Sequence, residues 1–403
     1  MNLKIFTDNI EQKAKEQIDL LLAQPAFSDC KVRIMPDVHA GAGCVIGFTA
    51  DLGKRVIPNV VGVDIGCGML TVPLGNVNID YNKLDEAIRK HVPSGMDVHS
   101  EYSRIQFDLE RLHCYDSLVN VDRLIKSLGT LGGGNHFIEI DEHPNGNKYL
   151  IIHTGSRNLG KQVAEYWQQV AIESCVGEKE YIEMRDKLIK RLKDLKMEHK
   201  INSYLKALKE LYTPTDVKIP KELCYLEGEQ REWYLNDMRM CQHWAHWNRY
   251  EIARAITLAM GWSFEALDCC SFETVHNYIG SDNIVRKGAI SAREGEIVLI
   301  PMNMRDGCII GTGKGNADWN YSAPHGAGRI MSRSEAVKTV SMEEYKESMK
   351  GIFTTSVDES TIDESPMAYK PMDEIIKYIE PTVRVDIIVK PVYNFKASES
   401  SHR

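Results

Sequence analysis

Tyr149-Leu150-Ile151-Ile152-His153-Thr154-Gly155-Ser156-Arg157 is the stretch from which the fold is read. Its first five residues form an apolar run that ends on histidine, the pattern of a buried strand. Thr-Gly-Ser then opens a turn. A rigid strand that delivers an imidazole into a loop is a common way to build a reactive cleft. Four more segments repeat the theme: Met35-Pro36-Asp37-Val38-His39-Ala40-Gly41, Gly62-Val63-Asp64-Ile65-Gly66-Cys67-Gly68, Gly132-Gly133-Gly134-Asn135-His136 and His325-Gly326-Ala327-Gly328-Arg329. Val275-His276-Asn277 keeps the ligand type without the glycine. Glycine permits positive φ and close backbone approach, as a loop around a ligand requires. Asp, Cys and His are donors that a borderline divalent metal accepts.

Around these segments the chain alternates short apolar runs with helical periodicity. Residues 8–24 read as a helix, with Ile10, Ala14, Ile18, Leu21 and Leu22 at helical spacing, and 81–91 read as another. Val32–Met35, Val60–Val63 and Met69–Val72 read as buried strands. From about 160 to 255 the text changes to Lys, Glu, Leu and Trp, which predicts a helical insertion; 231–258 within it read as one long helix. The charges between 177 and 211 have mixed sign, so a solvated helical hairpin is favoured over a phosphate-binding stripe. Strands follow over 284–287, 297–300 and 308–310, helices near 333–350 and 371–379, and a strand over 383–389. The Ser-rich tail from Ala397 is expected to fray. The fold class expected is α+β: one mixed α/β body over residues 1–403 with the helical insertion at about 160–255.

The 403 residues, 43% of them hydrophobic, suffice for a substantial core. No run of 18 apolar residues occurs, so no membrane span is expected. The N-terminal residues lack the apolar core of a secretory signal. A net charge of −8 argues against a charge-driven nucleic-acid coat protein, while leaving local basic sites open. Ten scattered cysteines without a Cys-x-x-Cys pair fit a reducing, cytoplasmic setting. Most should be small buried apolar residues, Cys269-Cys270 included; Cys67, between two glycines, is the exception. His243 and His246, among tryptophans, read as packing residues.

Asp64 and Cys67 lie three apart around a tight turn, so both side chains can face one ion, and a thiolate can bridge two. With His136, His153 and His276 the set suits one or two divalent ions such as Mn²⁺ or Zn²⁺. A two-metal arrangement fits phosphoryl transfer. His325 is different: small neighbours expose its imidazole, and Arg329 and Arg333 follow. Such a histidine can accept a phosphoryl or nucleotidyl group, and arginines grip phosphate; a metal-ligand or turn role stays open. Arg157 and the Arg286-Lys287-Gly288-Ala289 turn also suit phosphate. There is no P-loop signature, so a nucleotide would bind without one.

Taken together, in this order and over nearly the whole chain, Pro-Asp-Val-His, Gly-Val-Asp-Ile-Gly-Cys-Gly-Met, Gly-Gly-Gly-Asn-His-Phe-Ile-Glu, His-Thr-Gly-Ser-Arg, His-Asn, Arg-Lys-Gly-Ala and His-Gly-Ala-Gly-Arg-x-Met-Ser-Arg resemble the RNA-splicing ligase RtcB family. The resemblance implies an enzyme that joins RNA 3′-phosphate or 2′,3′-cyclic phosphate ends to 5′-hydroxyl ends with GTP and two Mn²⁺ ions, in RNA repair or tRNA splicing. It implies that Asp64, Cys67 and His136 hold one ion, that Cys67, His153 and His276 hold the second, and that His325 becomes guanylylated. It places Asn135, Glu139, Gly326, Ala327, Gly328, Tyr369 and Lys396 at the nucleotide, and Asp37, Arg157, Asn277 and Arg333 at RNA ends or in catalysis. An archease-type activator and a monomeric state go with the same reading.

One loop departs from the family pattern. Pro301-Met302-Asn303-Met304-Arg305-Asp306-Gly307 stands where many members carry Pro-Gly-Ser-Met-Gly. Asn303, Arg305 and Asp306 are expected to replace serines at the nucleotide phosphates, or the nucleotide preference differs. Two other readings stand beside the ligase: a guanylyltransferase or cyclic phosphodiesterase that does not ligate, and an RNA-binding module without chemistry.

Overall fold

The computed structural model describes residues 2–176, 178–195, 197, 200–211 and 219–396; the tail from Ala397 lies outside them. An antiparallel sheet carries the site. Its order is Ile297–Asn303, Gly307–Gly313, Val383–Lys396, Phe137–Glu142, Lys148–Thr154, Gly68–Gly75 and Phe272–Val275, with the short strand Phe353–Thr354 alongside Val383–Lys396. Successive side chains of a strand point to opposite faces. Leu70, Val72, Ile138, Ile140, Leu150 and Ile152 therefore share one face, against Leu84, Ile88, Ile252 and Ile256 of helices Tyr81–His91 and Gly228–Met260. Met69, Ile151, Leu299, Ile310 and Val389 fill the other face. His153 alternates with Ile152 and so emerges on the second face, at the strand end.

A second sheet, ordered Asn2–Ile5, Lys31–His39, Ile46–Asp51, Ile284–Lys287 and Tyr278–Ile279, has one parallel pair at its edge and is otherwise antiparallel. Ile34 and Phe48 from this sheet, Ile18 and Leu21 from helix Gln12–Leu22, Trp167 from helix Arg157–Val176 and Trp244 from helix Gly228–Met260 join one core. Each fully buried aliphatic or Phe side chain there stabilises the fold by about 1.5–3 kcal/mol. The mixed α+β class expected from the sequence is what the structure has.

Two local expectations change. Val60–Val63 do not form a strand. Pro58 opens a short helix, Pro58–Val61, which Gly62 ends at φ +98°. Proline is pre-set for the first helical position, and glycine tolerates the reversal. The single helix near 333–350 is two, Arg333–Thr339 and Met342–Ser348, because Ser341 and Glu344 cap each other at a new N-terminus. Between 157 and 260 the described residues form four α-helices, Arg157–Val176, Glu178–Asp194, Ile201–Leu211 and Gly228–Met260.

Candidate active site

Two groups of ligand-type atoms meet where the strand ends converge. Asp64, Cys67 and His136 form one, and Cys67, His153 and His276 the other; within each, the ligand atoms lie within 4.8 Å of one another. Cys67 belongs to both. Its Sγ is 3.2 Å from His153 Nε2 and 3.6 Å from His136 Nε2. His153 Nε2 faces His276 Nε2 at 3.4 Å, and His136 Nε2 faces Asp64 Oδ2 at 2.9 Å.

The fit to cations follows from the tautomers. A carbonyl only accepts, so His136 Nδ1–H donates to Leu131 O and His153 Nδ1–H donates to Asn135 O, each at 2.9 Å. The Nε2 atoms of both rings then point inward, that of His136 at the Asp64 carboxylate and that of His153 at the Cys67 sulfur. Acceptors converging at these distances repel unless a proton or a cation lies between them. Burial first, and neighbouring imidazoles next, push His153 and His276 well below the usual histidine range, which keeps them neutral and able to ligate. Burial raises the Asp64 carboxyl, but His136 and Arg157 outweigh it and hold it at about 2. Burial and Asp64 push the Cys67 thiol up, so a thiolate here needs a cation beside it. Asp64, Cys67, His136, His153 and His276 therefore suit borderline divalent metals.

Glycine allows this crowding. A Cβ on Gly155 would lie 2.2 Å from Asp64 Oδ1, and one on Gly66 would lie 2.9 Å from the Gln242 backbone. Ser156 N–H also donates to Asp64 Oδ1 at 3.1 Å, so the His153 loop fixes the Asp64 carboxylate.

His325 stands next to the second group, its ring 4.8 Å from that of His276. Its Nδ1 is 2.6 Å from Oδ2 of the fully buried Asp37. A carboxylate accepts there, so Nδ1 carries a proton and Nε2 is the ring nitrogen that Asp37 does not engage. His325, Gly326, Ala327 and Gly328 border a cavity of about 610 Å³ that also reaches His153, Asn135, Glu139, Asn303, Arg333, Tyr369 and Lys396. Its far wall is an ionic cluster around Glu364. Lys396 Nζ donates to it at 2.8 Å, Tyr369 Oη at 2.6 Å, Arg333 at 3.1 Å and Arg329 at 3.3 Å. Burial raises the Glu364 carboxyl, and Lys396, Arg333 and Arg329 outweigh it, bringing it to about 2.

The remaining expected residues lie outside the cavity wall. Arg157 is turned to Thr130 Oγ1 and Gly95 O, each at 3.2 Å. Asn277, at φ +63°, receives the Gly288 N–H at 2.9 Å and reaches toward Asp64 O at 3.4 Å. Asp306 pairs with Arg305 and Asn303 within a tight hairpin, so Asn303 alone of the three borders the cavity.

Three readings are corrected. Arg286 pairs with Asp282, and Lys287 donates to Asn59 O at 2.7 Å; both are buried, so that cationic turn is structural. Cys269 and Cys270 are exposed rather than structural. His246 is exposed and bonds Glu273 at 2.9 Å, and His243 is exposed too; neither packs in a core.

Sequence reading also missed a group. Glu139, Asp141 and Cys308 gather on the sheet face beneath the cavity, all buried. Asp141 is fully buried, its carboxyl close to Glu139 and the Cys308 thiol. Burial first, and the Glu139 charge next, hold its carboxyl well above the usual range. The signal was present: Glu139 and Asp141 alternate with Ile138 and Ile140, which puts both acids on one face.

A family model described as "tRNA-splicing ligase RtcB" matches residues 21–118 and 117–397. The chain belongs to the RtcB family. It is 29% identical to the RNA-splicing ligase RtcB of Escherichia coli K12, over 97% of this chain and 96% of that protein. The tRNA-splicing ligase RtcB of Archaeoglobus fulgidus is 25% identical over 92% of this chain and 88% of its own length. That of Methanococcus maripaludis is likewise 25% identical, over 92% and 88%.

Proposed function

We propose that this chain is an RNA ligase that joins a 3′-phosphate or 2′,3′-cyclic phosphate end to a 5′-hydroxyl end through a guanylylated His325. The observation that carries the reading is the His325–Asp37 pair, which leaves Nε2 as a free nucleophile on the wall of a nucleotide-sized cavity beside the metal-type ligands. Family membership and the names of the relatives support the RNA-joining step.

His325 Nε2 attacks the α-phosphorus of GTP; a P–N bond forms, the P–O bond to the leaving group breaks, and pyrophosphate departs. Asp37 holds the Nδ1 proton and offsets the positive charge that develops on the ring. An oxygen of the RNA 3′-phosphate then attacks the same phosphorus. The P–N bond breaks and GMP passes to the RNA as a 3′-pyrophosphate-linked G. Last, the 5′-hydroxyl oxygen attacks the RNA phosphorus, its proton goes to a base, and GMP leaves. A cyclic end is first opened by water to the 3′-phosphate. Guanylylation turns a poor leaving group into a better one. Two divalent ions, Mn²⁺ in our reading, supply Lewis acidity and charge neutralisation at the phosphates when bound to Asp64, Cys67, His136, His153 and His276. A guanine edge presents an oxygen acceptor beside N–H donors, which an ammonium beside a carboxylate complements; Lys396 and Glu364 offer that pair. We assign the work to the cytoplasm, consistent with ten free cysteines.

The test is incubation with Mn²⁺ and α-³²P-GTP, followed by a denaturing gel. Wild type should carry label and His325→Ala should not. Absence of label with every metal and nucleotide tried would sink the mechanism and favour an RNA-binding role.

A further inference from the structure

Two adjacent residues of the helix Gly228–Met260 touch every segment that carries a metal-type ligand. Asn248 is fully buried and Arg249 is 1% exposed. Asn248 Oδ1 accepts the N–H groups of Gly129 at 2.7 Å and Thr130 at 3.0 Å. Its Nδ2 donates to Thr130 O at 3.0 Å and Gly155 O at 3.1 Å. One amide side chain thus ties the loop that leads to His136 to the loop that follows His153. The tie continues to the ligand, because Leu131 O accepts both Thr154 Oγ1–H at 2.8 Å and His136 Nδ1–H at 2.9 Å.

Arg249 joins the other segments. Its Nη1 donates to Gly66 O and to Thr154 O, each at 2.9 Å, between Asp64 and Cys67 on one side and directly after His153 on the other. Its Nε donates to Glu273 Oε1 at 2.8 Å, three residues before His276. A buried guanidinium needs its donors filled and its charge matched. Here the carboxylate of Glu273 matches the charge, and it and two backbone carbonyls of the ligand-bearing segments take the donors of Nε and Nη1. A planar fork with fixed donor directions sets the spacing of the groups it joins. Its charge also lies near Cys67, where it favours thiolate.

We propose that Asn248 and Arg249 are positioning residues that hold the four ligand-bearing segments at ligating distance, so that they set metal affinity although neither is a ligand. The proposal rests on the metal-centre reading above. Residues that orient metal ligands from behind typically change affinity by about 10–100-fold when replaced.

Cobalt(II) is the probe, because a thiolate–cobalt charge-transfer band reports ligation by sulfur without any turnover. Full-length wild type, Arg249→Lys, Arg249→Met and Asn248→Asp are titrated with Co²⁺, and the melting temperature of each metal-free protein is recorded. Arg249→Lys keeps the charge and loses the fork. It should bind Co²⁺ about 10-fold more weakly, and Arg249→Met and Asn248→Asp about 10–100-fold more weakly, with a shifted or weakened band. Where Arg249→Met does not fold, Arg249→Lys and Asn248→Asp decide. Folded Arg249→Lys and Asn248→Asp with wild-type Co²⁺ curves, or variants that lose metal-free stability while their folded fraction binds Co²⁺ like wild type, overturn the proposal. Absence of any band in wild type instead overturns the metal-centre reading.

Discussion

Asp37 Oδ2 accepts two hydrogen bonds from one residue: the His325 ring Nδ1–H at 2.6 Å and the His325 backbone N–H at 3.1 Å. The carboxylate thus fixes both the position of the histidine and its tautomer. Asp37→Asn presents an amide that can donate to Nδ1, which would move the ring proton to Nε2 and block attack. We expect the rate of His325 labelling to fall by about 10²–10⁴-fold with the fold intact. Labelling time courses against circular dichroism check this; unchanged kinetics would remove Asp37 from the mechanism.

Cys67 sits in both ligand groups, whereas His276 sits in one. Cys67→Ala should abolish binding at both, and His276→Ala should spare the group of Asp64, Cys67 and His136. Metal content after gel filtration distinguishes them. Equal losses in the two variants would show that the groups do not share the sulfur.

At Gly155 a methyl group would strike a ligand-type side chain directly, since a Cβ would lie 2.2 Å from Asp64 Oδ1. Gly155→Ala should displace the Asp64 carboxylate and weaken metal binding by about 10-fold or more. Isothermal titration reads it; full-strength binding would mean that the Asp64 loop yields without loss.

Glu364 gives a pH signature. Its carboxyl is held at about 2 in the folded protein, below the ordinary 4.5. A depressed folded value stabilises above the unfolded value, and that contribution fades as pH falls through the folded one. It is on the order of 3 kcal/mol at neutral pH. Glu364→Gln should therefore be less stable than wild type at pH 7, with the gap closing between pH 4.5 and about 2. Urea melts across that range test it; a gap independent of pH would place the stabilisation elsewhere.

The parts of the site legible in the sequence are those with a local signature. Asp64 and Cys67 share a tight turn, and His153 ends an apolar run, so type and spacing showed them directly. The Asp37–His325 contact spans 288 positions, and nothing near either residue announces the other. Asn248 and Arg249 were hidden for a related reason. In the text they are two polar residues of a long helix, and their value comes from backbone carbonyls that have no sequence signature. The strand at Val60–Val63 was misread because a four-residue apolar run suits a strand or a buried helical turn, and Pro58 was the better guide. The Glu364 cluster draws on Arg329, Arg333, Tyr369 and Lys396, whose convergence only tertiary packing creates.

The order in which these residues occur along the chain has a consequence for synthesis. Ligand-type residues appear at 64, 67, 136, 153 and 276, the proposed clamp at 248 and 249, and the proposed nucleophile at 325. A ribosome that has translated the first two hundred residues has made four of the five donors and neither Asn248 nor Arg249. On the proposed clamp, metal capture would be deferred until the long helix has emerged and docked. A chain abandoned before that point would expose a loose set of histidines and a thiol, and tight metal binding would mark completed assembly.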